Sequence, residues 1–422
     1  MPFPEFEPPV PADSLLQRYG AKVLRPADAV TLPGQRVRST VYIADRLIVP
    51  VDRRAAAVGF LQAAADRLQL RLRYTDEQEP VDGVPRLESA VLVTMVSEGA
   101  QPADAWVLLQ QARRLAVQAR GAARAQAALR GVSLDHLLFA TNLIPEPYNS
   151  PHPYNSPHPY GGWTPIAQYG EPGFGGTQPV RLLLSPPPRP AVAGRRPVVA
   201  LLDTSIDVSH PWLTGIVTQN PLGPGGTPLG LVQPPQPVPA SGPLDGVMSP
   251  FAAHATFIAG IVRQVCPAAD IVSIPAIHLD GAIPDSELIA RLEELKQYIQ
   301  LQQAGAPRAR VIDVLSLSLG YYHESADDEA YDSVLYSHLH DLAGLGIAVV
   351  ASAGNDATTR AMYPAAFHLP PTGGQPPLAV PLTAVGALNP NGTVAMFSNT
   401  GPCANAWRPG AVIVSTMPPS FN

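Results

Sequence analysis

Two hydrophobic rhythms alternate along the second half of the chain. The runs "PVVALLD", "DIVSIPAI", "VIDVLSLSLG", "GIAVVASAG" and "PLTAVGAL" are continuously apolar, as parallel strands covered on both faces require. Between them, "HATFIAGIVRQV", "DSELIARLEELKQYIQLQQAG" and "EAYDSVLYSHLHDLAGLG" place apolar residues at helical spacing. This alternation predicts a doubly wound α/β domain with a mostly parallel sheet over residues 197–422. In such folds functional side chains collect at the carboxyl ends of the strands.

A different order precedes it. "TVYIADRLIVP" reads as a strand, "RRAAAVGFLQAAADRL" as a helix, and "QLRLRYT" and "LESAVLVTMVS" as strands. A long alanine-rich helix and the strand "LDHLLFAT" follow. The sequence β-α-β-β-α-β predicts a small ferredoxin-like α+β domain over residues 39–143. Residues 1–38 read as a flexible lead-in, with a helical turn or two in "DSLLQRYGAKVL". Residues 144–196 hold the tandem repeat PYNSPH and then "SPPPRPAVAGRRP", so they read as a proline-rich linker in which His152 and His158 are solvated.

Composition narrows the function classes. A formal net charge of -6 over 422 residues argues against nucleic acid as a ligand. No apolar run is long enough to span a bilayer, and the proline- and acid-containing start lacks the cationic and apolar regions of a signal peptide, so a cytoplasmic location without membrane attachment is expected. Cys266 and Cys403 stand far apart in no metal-ligand spacing and read as isolated buried thiols, with a disulfide the minor alternative. The arginine stripe from Arg113 to Arg130 reads as a solvated helix face.

Three residues stand out, each with an ordinary explanation. Asp203 ends the apolar run "VVALLD", where a turn or helix-capping residue is the common case. His254 opens an apolar helix, where a lone imidazole is usually a core residue, and Asn355 follows a strand among small residues, where turns form. Their order carries more. "VALLDTSID", "HATFIAGIV" and "VVASAGN" resemble, in that order, the aspartate, histidine and oxyanion-hole motifs of subtilisin-like serine peptidases. The resemblance covers residues 197–422, including "AMFSNTGPCANAWRPGAVIVST", which is similar to the segment that leads to the family's nucleophile.

The resemblance implies that Asp203 orients His254, that His254 is general base and acid, and that Asn355 stabilises the oxyanion. That last contribution is worth roughly 3 kcal/mol. It also implies that Ser318, Leu319 and Gly320, with Ser352, Ala353 and Gly354, border the pocket for a peptide or protein substrate, which pairs with an exposed strand. The family's prodomain has the same β-α-β-β-α-β architecture, so residues 39–143 are expected to pack by their sheet on the peptidase domain near its groove. No cofactor is called for, and loop acids alone define no calcium cage.

Departures from the family pattern are equally informative. Ser205 and Ala255 stand where glycine is usual, and Phe257 where a second histidine is usual. No Gly-Thr-Ser motif follows "VIVSTMP", and neither Ser415 nor Ser420 has that context. The chain as given is therefore expected to be an inert fragment of a serine endopeptidase. A non-catalytic peptide- or partner-binding module on the same fold is the alternative. A nucleotide-binding domain is disfavoured because no glycine-rich phosphate loop follows the first strand.

Overall fold

The computed structural model describes residues 8, 10–76, 84–121, 127–140, 185–232, 251, 253–305, 311–324, 333–369 and 376–419. In chain order the first elements are α1 (Asp13–Tyr19), β1 (Ala21–Leu24), β2 (Thr40–Pro50), α2 (Arg54–Leu68), β3 (Leu70–Tyr74), β4 (Ala90–Ser97), α3 (Ala105–Arg120) and β5 (Ser133–Ala140). After the strand β6 (Val198–Asp203) come β7 (Val217–Gln219), α4 (His254–Val265), β8 (Asp270–Pro275), β9 (Ala282–Pro284), α5 (Asp285–Gln303), β10 (Val314–Leu317) and β11 (Leu319–Tyr322). The last are α6 (Ser333–Gly344), β12 (Ala348–Ser352), β13 (Met362–Tyr363), β14 (Thr383–Leu388) and β15 (Ala406–Pro409).

Strand β6 shows why the second half is α/β. Its alternate residues Ala200 and Leu202 join Val272 and Ile274 in one core, whose helical side is α5 and α6. Leu201 faces the other way, with Ile271, against Ala255 and Ala259 of α4. Both faces of the strand are covered, so both must be apolar. The sheet order is β15-β14-β12-β10-β6-β8-β7, and every pairing in it is parallel. The carboxyl ends of β6, β10 and β12 therefore meet along one edge.

The N-terminal unit has the ferredoxin-like strand order β5-β2-β4-β3, all antiparallel. Along β2, Leu47 and Val49 face the core under α2 and α3, while Ile48 between them joins the core containing α5. One face of this sheet thus belongs to its own helices and the other to the α/β domain. Helix α3 starts where it does because the Asp104 side chain accepts from the N–H groups of Trp106 and Val107.

The lead-in differs from the flexible segment expected of it. It carries α1 and β1, and β1 pairs with β2 in the register Ala21↔Ile43. Of the linker expected at 144–196, residues 144–184, including His152 and His158, lie outside the described residues. Its end is pinned where Arg195 forms two hydrogen bonds of 2.6 and 2.7 Å to Asp313, which also accepts from the Val198 N–H. Arg113 is buried rather than solvated, because the face of α3 that carries it turns toward the core. Cys266 is a free and exposed thiol, since it caps the carboxyl end of α4 instead of lying within a packed element.

Candidate active site

Asp203 is the last residue of β6, a central strand, and only 2% of its surface is exposed. Its main chain is tied down by Ala276 and Ile277, whose N–H groups donate to its carbonyl at 2.7 and 3.1 Å. Its side chain therefore emerges at a fixed point on the sheet edge. The Oδ1 atom accepts from the Thr204 N–H at 2.7 Å and lies 2.6 Å from Nδ1 of His254.

His254 is the first residue of α4, which begins immediately after Ala253 in the left-handed region at φ 71°. That conformation costs an alanine of order 1 kcal/mol, and it sets the angle at which the helix leaves the preceding loop. Thr204 links the two sides by accepting the Ala255 N–H at 3.2 Å. With a carboxylate at Nδ1, the imidazole proton is held there and Nε2 becomes the basic nitrogen. The observed separation falls inside the hydrogen-bonding range such a pair needs.

Asn355 follows β12 on the same edge, with β10 between its strand and β6. Its loop is held by Asn399, a fully buried residue that the sequence did not single out. Asn399 Oδ1 accepts from the N–H groups of Asp356 and Thr358 at 2.9 and 3.3 Å, and its Nδ2 donates to the Tyr322 hydroxyl at 2.8 Å. The Tyr322 hydroxyl in turn donates to Asp356 at 2.5 Å. Burial pushes the Asp356 carboxyl up, against the opposing pull of Tyr322 and Arg360. Gly354 has φ 107°, and a Cβ there would fall 2.1 Å from Asn399 Nδ2, so only glycine fits.

The six residues expected to border a substrate pocket lie at the ends of β10, β11 and β12, and one expectation about them needs correction. Leu319 and Gly320 are not an open strand edge: they pair with Ala140 and Phe139 of β5. On its other flank β5 pairs with β9, with Leu138 opposite Ile283 and Phe139 opposite Ala282, while the Ala140 N–H donates to Gly281 at 2.8 Å. The last strand of the N-terminal unit thus fills a strand-shaped slot between β9 and β11. Ser318 and Ser352 remain partly exposed, and Ala353 is buried, donating its N–H to the Val385 carbonyl at 2.9 Å.

Charged and polar clamps hold this seam. Glu293 of α5 accepts from the N–H groups of Glu88 and Ser89 at 3.0 Å and from the Ser89 hydroxyl at 2.7 Å. Asp135 of β5 accepts from the Ser286 N–H at 2.9 Å, satisfying an orphan donor in the first turn of α5 across the domain boundary. Among the described residues, the one group suited to a metal ion is His136, His323 and Glu324.

The departures have local consequences. Ser205 is fully buried and its hydroxyl has no partner among the described residues. Ala255 packs beneath β6. Ser415 donates to the Phe257 carbonyl at 2.6 Å and Thr416 to the Thr256 carbonyl at 2.7 Å, which lays this segment along α4. Ser420 lies outside the described residues.

Residues 194–414, slightly more than half of the chain, match the family model described as Peptidase_S8, the subtilase family. The chain belongs to the subtilase family. A curated relative of this subtilase, the subtilase-type proteinase RRT12 of Saccharomyces cerevisiae (strain ATCC 204508 / S288c), is 27% identical over 174 residues, which are 40% of this chain and 31% of that protein. A solved structure, that of a cold adapted subtilisin-like serine proteinase, is 19% identical with a TM-score of 0.34, covering 52% of this chain and 64% of its own. The chain thus spans less than two thirds of the length of either. No described helix is long and apolar enough to cross a membrane.

Proposed function

We propose that this subtilase carries the Asp–His half, the oxyanion donor and the peptide groove of a serine endopeptidase. The observation that carries this is the 2.6 Å contact between His254 Nδ1 and Asp203 Oδ1 at the carboxyl edge of the sheet. In the proposed reaction a serine hydroxyl attacks the scissile carbonyl while His254 Nε2 takes its proton. Asp203 holds the tautomer and stabilises the imidazolium, Asn355 donates to the oxyanion, and the imidazolium then protonates the leaving amine. The strand-shaped slot between β9 and β11 holds the peptide. In this chain it is filled by β5, which supports a prodomain role for the N-terminal unit as a built-in inhibitor of the same groove.

The 422 residues contain no serine in the family's Gly-Thr-Ser context. The chain is accordingly proposed to be inert toward peptides and unlabelled by fluorophosphonate probes. Any longer product of the gene that includes such a motif should label at that serine, and His254→Ala should abolish labelling with the fold intact. A longer product that binds peptides but never labels would replace this proposal with a non-catalytic binding module. Hydrolysis by the purified 422-residue chain would overturn the assignment of roles.

A further inference from the structure

His136 lies on β5 of the N-terminal unit, and His323 and Glu324 directly follow β11 of the α/β domain. His136 Nε2 is 2.7 Å from Glu324 Oε2, and His323 Nδ1 is 3.6 Å from the same oxygen. All three side chains are buried, at 0%, 5% and 1% exposure, and one donor atom from each falls within 4.8 Å of the others. Around a tetrahedral ion with bonds of about 2.0–2.2 Å, donor atoms stand roughly 3.3 Å apart. The two observed separations bracket that value.

A carboxylate and two imidazoles meet in this seam out of contact with solvent. A buried carboxylate needs a full counter-charge. The Glu324 carboxylate lies against those two imidazoles. His136 Nδ1 has no hydrogen-bond partner among the described residues. The His136 ring is meanwhile fixed by stacking on Tyr321, with centroids 4.4 Å apart.

We propose that His136, His323 and Glu324 bind a divalent cation of the zinc class, which fastens the N-terminal unit to the α/β domain. Two imidazoles and one carboxylate favour zinc over calcium or magnesium, which prefer oxygen donors throughout. Because the ligands come from both sides of the seam, an ion that binds only the docked arrangement stabilises docking by mass action. The site lies outside the proposed catalytic residues, so it stands whether or not the chain is a peptidase.

The test uses the full chain, stripped by chelator and then titrated with Zn²⁺ and with Co²⁺. Expected are about one equivalent of zinc retained through gel filtration and visible cobalt bands with the intensity of a four- or five-coordinate ion. Both should vanish in His136→Gln and in Glu324→Gln, and both should persist when the linker imidazoles are removed in the double variant His152→Gln/His158→Gln. Should the ligand variants fail to fold by circular dichroism, amide exchange on the wild-type chain decides, with zinc expected to slow exchange at residues 137–140 and 319–322. Absence of retained zinc in the wild-type chain, cobalt bands that survive both ligand substitutions, bands lost in the linker variant, or exchange unaffected by zinc would each overturn the proposal.

Discussion

Asp203 Oδ1 serves two donors, the Thr204 N–H and the His254 ring nitrogen. A proton held between Nδ1 and a carboxylate at 2.6 Å should resonate far downfield in the NMR spectrum and exchange slowly with water. Asp203→Asn is expected to remove that signal while leaving α4 helical by circular dichroism. In a product carrying the nucleophile, the same substitution should lower kcat by about 10⁴-fold through the wrong tautomer. Ser205, two residues on, pays for a buried hydroxyl with no partner among the described residues. Ser205→Ala should therefore raise stability by about 1 kcal/mol in denaturant unfolding. At this scale the sequence was legible where a motif is local: Asp203 and His254, which the structure brings to 2.6 Å, each sit in a short stretch with a distinct texture. Asn399 and Tyr322 were not, because their roles come from hydrogen bonds between segments 77 residues apart. His136 and Glu324 are separated by 188 residues, and no local pattern marks either.

The elements most exposed to testing are the clamp on β4 and the loop after β12. For Glu293, burial raises the carboxyl, but hydrogen bonds from His338, Glu88 and Ser89 outweigh it and leave the group below its ordinary value of 4.5. A depressed value in the docked state means that the clamp contributes above pH 4.5 and is lost as pH falls through and below it. Amide exchange at Glu88 and Ser89 should accordingly accelerate on acidification, and in Glu293→Gln it should be fast already at neutral pH. Gly354→Ala should cost about 1–3 kcal/mol from its left-handed backbone alone, and more from the clash with Asn399. Helices and long strands were readable from their periods, and the β-α-β-β-α-β order of β2 to β5 follows directly. The short strands β9 and β13 were not readable, because three-residue and two-residue strands exist by pairing with neighbours rather than by any hydrophobic rhythm. The same limit hid the second partnership of β5.

Across the whole molecule, one core joins the two units. Ile48, Leu92 and Leu138 of the N-terminal unit share it with Leu288, Leu292, Leu319 and Leu339 of the α/β domain. Leu138→Ala is expected to cost about 3 kcal/mol, and the loss should appear as undocking, with β9 and β11 exchanging faster than the parallel sheet. The position of β5 also has a kinetic consequence for any outside peptide. A strand tethered to its own slot competes as if present at a roughly millimolar local concentration, whatever the dilution of the protein. A free peptide copying residues 134–141, added at micromolar concentration, should therefore fail to displace it. Cutting the chain between residues 141 and 184 would turn that permanent neighbour into an ordinary ligand, able to leave on dilution and to be replaced.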